Sequence, residues 1–151
     1  MGMFTAFDIS ASGLTAQRYR MDIISQNVAN ANTTRTQDGD PYVRKVVYFE
    51  EKGVRGSDTF SHVLNSVSKN YAGKGVKVAR VLEDKVTPQN MVYDPSHPDA
   101  DENGYVMYPN VNIITEMTNL IDASRSYEAN ATAFDAAKSM AQQGLQIGQG
   151  S

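Results

Sequence analysis

Apolar residues recur every seven positions at both ends of the chain, and this repeat limits the folds that the sequence can adopt. The N-terminal repeat consists of Phe7, Leu14, Met21 and Val28. The line beside it on a helix consists of Met3, Ser10, Gln17, Ile24 and Ala31. Two lines three to four residues apart share one helix face, so we predict an amphipathic helix over residues 3–31. Because Ser10 and Gln17 are polar and Gly13 costs a helix ~1 kcal/mol, this helix should need a partner.

The C-terminal repeat is longer and predicts a helix over residues 111–146. Its first line consists of Ile113, Leu120, Tyr127, Phe134 and Ala141. Its second line consists of Met117, Ser124, Ala131, Lys138 and Leu145, with Ile114 and Ile121 widening the apolar face. Pro109 precedes the helix, and either Asn110 or Asn112 is a suitable N-cap. Such a helix would be roughly 50 Å long, and heptads sustained over this length favour coiled-coil packing.

The middle of the chain has a different composition, which indicates β-structure. Residues 42–50 and 76–83 are rich in β-branched and aromatic residues and are predicted to be strands. Residues 86–93 form either a third strand or an extended loop, residues 53–58 and 93–104 read as loops, and residues 60–68 are ambiguous.

We therefore predict an α+β fold, in which long N- and C-terminal helices pair as a coiled-coil-like bundle beside a small β-rich middle region. The expected parts are an N-terminal helix with an Asn-rich end (1–35), the middle region (36–108) and the long C-terminal helix (109–151).

Composition and motifs argue against several classes of function. The net charge of −3 gives no basic patch for nucleic acid or an anionic membrane. The absence of Cys excludes disulfides and thiolate metal sites. Neither His62 nor His97 lies in a nucleophile motif, and no phosphate-binding glycine loop occurs. We therefore expect a structural protein that is not an enzyme, with no cofactor, no small-molecule substrate and no cleaved signal peptide.

One acidic segment matches the start of a calcium-binding loop. Residues 99–104 read Asp-Ala-Asp-Glu-Asn-Gly, which is the opening D-x-D-x-N-G of an EF-hand. The twelfth position, which needs a bidentate Glu, is Asn110, and two prolines precede the loop where a helix should enter. A polar turn that uses Gly104 is favoured, and a weak calcium-binding module stays as an alternative.

Three asparagines lie close together where the first helix should end. Asn27, Asn30 and Asn32 occur within six residues and are separated by small or β-branched residues. Asn disfavours helix interiors because its side chain competes for backbone hydrogen bonds. The cluster therefore marks either a plain helix end or a polar group that sets the register of a packed interface.

The segments around these asparagines resemble a known family. Residues 25–33 read Ser-Gln-Asn-Val-Ala-Asn-Ala-Asn-Thr, and residues 7–14 read Phe-Asp-Ile-Ser-Ala-Ser-Gly-Leu. Together they resemble the signature of bacterial flagellar axial proteins, which include rod, hook and hook-associated subunits. Residues 93–100, 104–112 and 116–130 make the chain similar to proteins of the proximal rod of the basal body.

This resemblance implies a subunit of the basal-body rod, which crosses the cell envelope and transmits motor torque. The expected partners are further copies of the chain in a helical array, other proximal- and distal-rod proteins, a rod-base adaptor at the export gate, and the flagellar type III export apparatus. A soluble coiled-coil adaptor is the competing interpretation of the helices. The repeats and the resemblance together predict the following assembly interface residues: Phe7, Leu14, Met21, Asn27, Val28, Asn30, Asn32, Ile113, Leu120, Arg125, Tyr127, Glu128, Asn130 and Phe134.

Overall fold

The computed structural model describes residues 3–52 and 75–149, with side chains from 5 to 52 and from 75 to 148. The elements are α1 (Met3–Ala29), β1 (Lys45–Glu51), β2 (Val76–Glu83), β3 (Asn90–Tyr93), β4 (Tyr105–Tyr108) and α2 (Ile113–Gln149). The predicted loop over 53–58, the ambiguous residues 60–68 and His62 lie outside the described residues. The two long helices and the small antiparallel sheets confirm the α+β class.

The two helices lie side by side and run in opposite directions. The rings of Phe7 and Phe134 meet edge to face with their centroids 5.0 Å apart. Farther along, Asn27 near the end of α1 binds Glu116 in the first turns of α2. An early residue of one helix thus contacts a late residue of the other, which makes the pair antiparallel. Neither of the described helices is long and apolar enough to cross a membrane.

The buried line of α1 matches the predicted one only in part, and that of α2 is displaced by one residue. In α1, Ser10 and Ile24 of the second heptad line are buried, but so are Gly13, Ala16 and Asn27, which lie beside that line. In α2 the buried residues are Glu116, Ala123 and Ala137, each one position before a member of the predicted line Met117, Ser124, Ala131, Lys138 and Leu145. At Ala123 and Ala137 the reason is size, because small side chains let two helices approach closely. Glu116 is buried because Arg44 and Asn27 bind its carboxylate. A search for large apolar residues therefore overlooks a seam made of alanine.

The strands form two separate two-stranded ribbons. In the first ribbon β1 and β2 are antiparallel, from the pair Lys45↔Glu83 to the pair Glu51↔Val76, with a bulge after Tyr48. Helix α1 packs against this ribbon. In the second ribbon β3 and β4 pair over four residues each.

The predicted strands are largely present. The strand over 76–83 is confirmed, and β1 begins at Lys45 instead of 42 because the backbone N–H groups of Tyr42 and Arg44 bind Thr33 and Asn110 outside the ribbon. The uncertain segment 86–93 contains β3. Strand β4 was not predicted, since four residues between Gly104 and Pro109 are too short for a periodic signal.

The start of α2 distinguishes the two proposed capping residues. Asn112 is the N-cap, because its Oδ1 accepts the backbone N–H of Thr115 at 3.2 Å. Asn110 instead faces the ribbons, where its amide joins three backbone groups. The choice between these residues could not be made from spacing alone.

Replacing Gly75 with Ala should destabilise the junction between α1 and β2. Gly75 has φ of +89°, and a Cβ there would overlap the Oγ of Ser12 and lie 3.3 Å from Cα of Ile9. Left-handed strain and crowding should together lower the free energy of unfolding by about 2–3 kcal/mol, measured by urea denaturation. Gly39→Ala is the control, because Gly39 also has positive φ but no atom lies within 4 Å of its added Cβ. Equal losses in both variants would rule out the Ser12 contact as a contributor.

Candidate assembly site

Asn27, the first of the clustered asparagines, is used completely inside the chain. Its side chain is 1% exposed. Its Nδ2 donates to the backbone oxygen of Lys45 at 2.9 Å and to Oε2 of Glu116 at 3.0 Å. Its Oδ1 accepts the hydroxyl of Tyr42 and the backbone N–H of Lys45, both at 2.9 Å. All four hydrogen-bonding positions of this amide are therefore occupied, two by the backbone of Lys45, one by Tyr42 and one by Glu116.

Glu116 is the charged centre of the same cluster. It is also 1% exposed, and its Oε1 accepts hydrogen bonds from Nε and Nη2 of Arg44 at 2.9 and 2.7 Å. Nη1 of Arg44 lies 3.5 Å from Oδ2 of Asp84. A buried ion pair is tolerated only when good geometry and further hydrogen bonds offset its desolvation, and both conditions are met here. Burial, together with the negative charge of Glu116, raises the pKa of Tyr42, so its hydroxyl stays protonated and donates to Asn27.

Asn110 connects this cluster to the turn after the first ribbon. Its Oδ1 accepts the backbone N–H of Arg44 at 2.9 Å. Its Nδ2 donates to the backbone oxygens of Asp84 and Thr87 at 2.7 and 3.0 Å. Hydrogen bonds from Thr87 to Asp84 close the turn and hold the pKa of Asp84 below its ordinary value.

We call these five residues the buried polar network: Asn27, Tyr42, Arg44, Asn110 and Glu116. The network joins α1, β1, the turn after β2 and α2, so it fixes both terminal helices on the β-rich middle region. Sequence reasoning identified Asn27 but missed its partners, because the Asn27–Glu116 contact spans 89 positions and the Arg44–Glu116 contact spans 72. The available signal was a carboxylate at 116, in line with Ala123 and Asn130 at intervals of seven.

At the other end of the helix pair, a glycine allows the two helices to approach closely. A Cβ on Gly13 would lie 2.7 Å from Oδ1 of Asn130, which is closer than such atoms approach in proteins. Asn130 is held in place by a hydrogen bond from its Nδ2 to the backbone oxygen of Ser126 at 2.8 Å. Gly13 therefore gives room for close approach, which explains an interruption that looked unfavourable in the sequence.

The predicted interface residues occupy three kinds of environment. Asn27 alone is buried. Half-buried positions are taken by Phe7, Leu14, Met21, Val28, Asn30, Leu120, Asn130 and Phe134. Exposed positions are taken by Asn32, Ile113, Arg125, Tyr127 and Glu128. Their roles in assembly stay predictions, and the exposed set is the one that a single subunit leaves open to a partner.

Two of the asparagines are explained without a partner subunit. Asn30 donates from Nδ2 to the backbone oxygen of Gln26 at 2.9 Å, and its Oδ1 accepts the hydroxyl of Thr33 at 3.2 Å. These contacts end α1 in the ordinary way. Asn27, in contrast, sets the register of packed elements within the subunit. The helix-end interpretation therefore applies to Asn30. A role of the cluster at an interface between subunits stays a prediction.

The outer side of α2 carries an apolar line that faces solvent. Ile114, Met117 and Ile121 are 77%, 55% and 53% exposed. At helical spacing they lie opposite the buried seam, and Arg125 and Glu128 continue the same line. Among the described residues, neither of these two charged side chains has an ion-pair partner. We call these five residues the outer α2 stripe.

The calcium-like segment has the contacts of a polar turn. Asp99 accepts the hydroxyl of Thr34 at 2.8 Å and lies 3.6 Å from Arg35. Oδ1 of Asp101 accepts the backbone N–H groups of Asn103 and Tyr105 at 2.9 and 2.8 Å. Gly104 has φ of +82°, as a turn glycine should. Over the parts of the chain that the structure describes, no three His, Asp or Glu side chains are grouped as metal ligands would be.

Comparisons with known proteins give the family of the chain. Residues 7–36 match the family described as flagella basal body rod protein, and residues 102–147 match the C-terminal family of flagellar basal body rod FlgEFG proteins. These two segments contain most of α1 and almost all of α2.

Full-length relatives agree with the family models. The chain is 47% identical to the flagellar basal-body rod protein FlgC of Bacillus subtilis, with 98% of this chain and 99% of the relative covered. It is 44% identical to the FlgC protein of Borreliella burgdorferi and 40% identical to that of Salmonella typhimurium, in each case over 99% of this chain and 100% of the relative. The chain therefore belongs to the FlgC family of flagellar basal-body rod proteins.

Proposed function

We propose that the chain is a structural subunit of the proximal rod of the flagellar basal body. In this role copies of the chain and other rod proteins form a helical tube that transmits torque from the motor. The observation that carries the proposal is the outer α2 stripe, an apolar line on a helix whose opposite side is already packed. Apolar side chains in such a line gain about 25 cal/mol per Å² when a neighbour covers them.

The arrangement of the chain suits this role. The end segments 1–35 and 109–151 act as helical arms that pair in a coiled-coil-like manner, and the middle region 36–108 sits beside them. A contact between unlike surfaces of neighbouring copies repeats without closing and produces a filament. A subunit of this kind works by packing and carries out no catalysis.

The expected neighbours follow from the same proposal. They are other proximal-rod proteins, the distal-rod protein and an adaptor between the rod base and the export gate. The chain would reach them through the flagellar type III export apparatus, without a cleaved signal peptide. Support for this route comes from its family membership.

A charge placed on the outer α2 stripe should block assembly without unfolding the subunit. In Met117→Asp, a carboxylate replaces a half-exposed apolar side chain that a neighbour would cover, and burying it unpaired is costly. We expect motility in soft agar to fall to the level of the gene deletion, and electron microscopy to show basal bodies without complete rods. The melting temperature of the purified variant should stay within about 3 °C of the parent, because exposed substitutions have small effects.

The control is Ala133→Asp, which adds the same charge at an exposed position roughly a quarter turn away from the stripe. This variant should swim normally. Normal swimming of Met117→Asp, with the protein present at parental amounts, would contradict the proposed role of the stripe. A purified parent that forms one discrete, fully helical dimer would favour the coiled-coil adaptor instead.

A further inference from the structure

The second ribbon exposes an uncharged face of four large side chains. Met91 is directly opposite Met107 and Tyr93 is opposite Tyr105, so alternate residues of both strands lie on one side. These four side chains are between 41% and 63% exposed. On the opposite side, Val106 is buried, whereas its cross-strand partner Val92 is 46% exposed. We call the four residues the second ribbon face.

The first ribbon also has an outward face, and its chemistry differs. Tyr48 and Leu82 are exposed there, beside the exposed Arg80. The guanidinium of Arg80 lies 5.5 Å from the ring centre of Tyr48. Lys77 on the same strand is neutralised by Glu50 at 3.0 Å, whereas no described carboxylate pairs with Arg80. We call Tyr48, Arg80 and Leu82 the first ribbon face.

The two faces differ in charge. Residues 89–112 contain four acidic and no basic side chains, and one of the four, Asp99, lies 3.6 Å from Arg35. The described residues 45–52 and 75–88 contain five basic and four acidic side chains, and Arg80 lies on the first ribbon face itself. Asp94 follows the second ribbon face directly, and Asp101 and Glu102 lie in the loop that joins its strands. Hydrogen bonds from Ser96 hold the pKa of Asp94 below its ordinary value, so this carboxylate is ionised at neutral pH.

We propose that the second ribbon face of one copy of this chain packs on the first ribbon face of a neighbouring copy. The apolar side chains of the two faces cover each other, and Arg80 meets the acidic loop beside Tyr93. This inference rests on the proposed rod function and names a contact made outside the helices. Two copies of the second ribbon face would bring two acidic loops together, and two copies of the first would bring two Arg80 side chains together, so neither match is favourable.

The contact is directional, and this has a consequence for assembly. Each copy offers one face of each kind, so a bound pair still has one free face at each end. Such a heterologous contact adds subunits in one direction and does not close into a symmetric dimer. It therefore provides a second line of contacts between neighbours, in addition to the outer α2 stripe.

Engineered cysteines can test the contact without disulfides from native cysteines, since the chain contains no Cys. Leu82→Cys and Met91→Cys are made in separate full-length copies that carry tags of different size, and both are produced in a motile strain that lacks the native gene. Basal bodies are isolated and oxidised, and disulfide-linked pairs are separated on a non-reducing gel. We expect mixed pairs to exceed either like pair by about tenfold, as a heterologous contact requires.

Two controls make the result specific. In the first, the cysteine is placed at Ala133, on the exposed side of α2, instead of at Leu82, and mixed pairs should fall to background. Adding Arg80→Glu to the Leu82→Cys copy should lower the mixed yield roughly fivefold, whereas adding Lys138→Glu should not, because only Arg80 meets the acidic loop.

The possible outcomes separate the two proposals. If both copies are present in basal bodies but mixed pairs do not exceed the Ala133 control, the ribbon contact is overturned and the rod function stands. A majority of links between two Met91→Cys copies would also overturn it, because that result means symmetric pairing. If the chain is absent from basal bodies, both the rod function and the ribbon contact fail.

Discussion

Arg44→Ala should lower the free energy of unfolding by about 3–5 kcal/mol, the typical cost of leaving a buried charge without its partner. The substitution removes both hydrogen bonds to Oε1 of Glu116, whose side chain cannot reach water. It also removes the contact with Asp84, which helps to hold the turn after β2. Stability measured by urea denaturation, with circular dichroism at 222 nm as the signal, provides the test. Part of the helical circular dichroism signal should already be lost at low urea concentration, because Glu116 anchors the start of α2.

Two comparisons make this result specific. Arg35→Ala breaks the exposed ion pair with Asp99, where the side chain of Arg35 is 70% exposed, and should cost less than about 1 kcal/mol. The double variant Arg44→Met with Glu116→Leu removes both charges and should recover part of the lost stability, the remainder reflecting the acceptor that Asn27 loses. If Arg44→Ala were no more destabilising than Arg35→Ala, the buried polar network would not hold the helices in place.

Asn27→Asp should have the second-largest effect, and that effect should depend on pH. The substitution keeps the shape of the side chain but replaces the donor that faces Oε2 of Glu116, 3.0 Å away, with a second carboxylate oxygen. Two carboxylates at this distance cannot both ionise in a buried site without a large penalty. We expect a loss of about 3 kcal/mol or more at pH 7, because a donor is lost and a like charge is gained.

The direction of the pH dependence follows from the introduced carboxyl. Its pKa in the folded state is raised above its unfolded value, so the penalty is present at neutral pH and is relieved as the pH falls through the folded pKa. The stability difference between Asn27→Asp and the parent should therefore shrink between pH 7 and about 5, followed by thermal unfolding across that range. Asn32→Asp adds the same charge at an exposed position and should show a small, nearly constant difference. A penalty for Asn27→Asp that is constant with pH would contradict the contact with Glu116.

The predictable parts of the fold are those specified by local patterns. The seven-residue repeats gave both helices, and the run of β-branched residues at 76–83 gave β2, because these signals lie within one element. The seam of α2 was misplaced by one position, since the residues that pack there are Ala123 and Ala137 and the large apolar residue Met117 points outward. Periodicity identifies a helix more reliably than it identifies which of its sides is covered.

The parts that could not be predicted depend on contacts between distant residues. Nothing near Arg44 indicates that it pairs with Glu116, and nothing near Ser12 indicates that its hydroxyl accepts the backbone N–H of Val76 at 3.0 Å. The resemblance singled out residues 7–14 and 25–33 as family signatures and suggested an interface role for them. In the structure, several of these residues build the subunit itself, including Ser12, Gly13 and Asn27.

The length of chain enclosed by the buried polar network affects the order in which the subunit can fold. Asn27 and Glu116 are separated by 89 positions, so their contact must close most of the chain into a loop. A chain that lacks its last third has Arg44 and Asn27 but no carboxylate between them. Helix α1 then has neither its anchor nor the alanine seam of α2, and a partial chain stays without a stable helix pair. The subunit should therefore acquire its order in one late step, after residue 116 is available, and not gradually from the N-terminus.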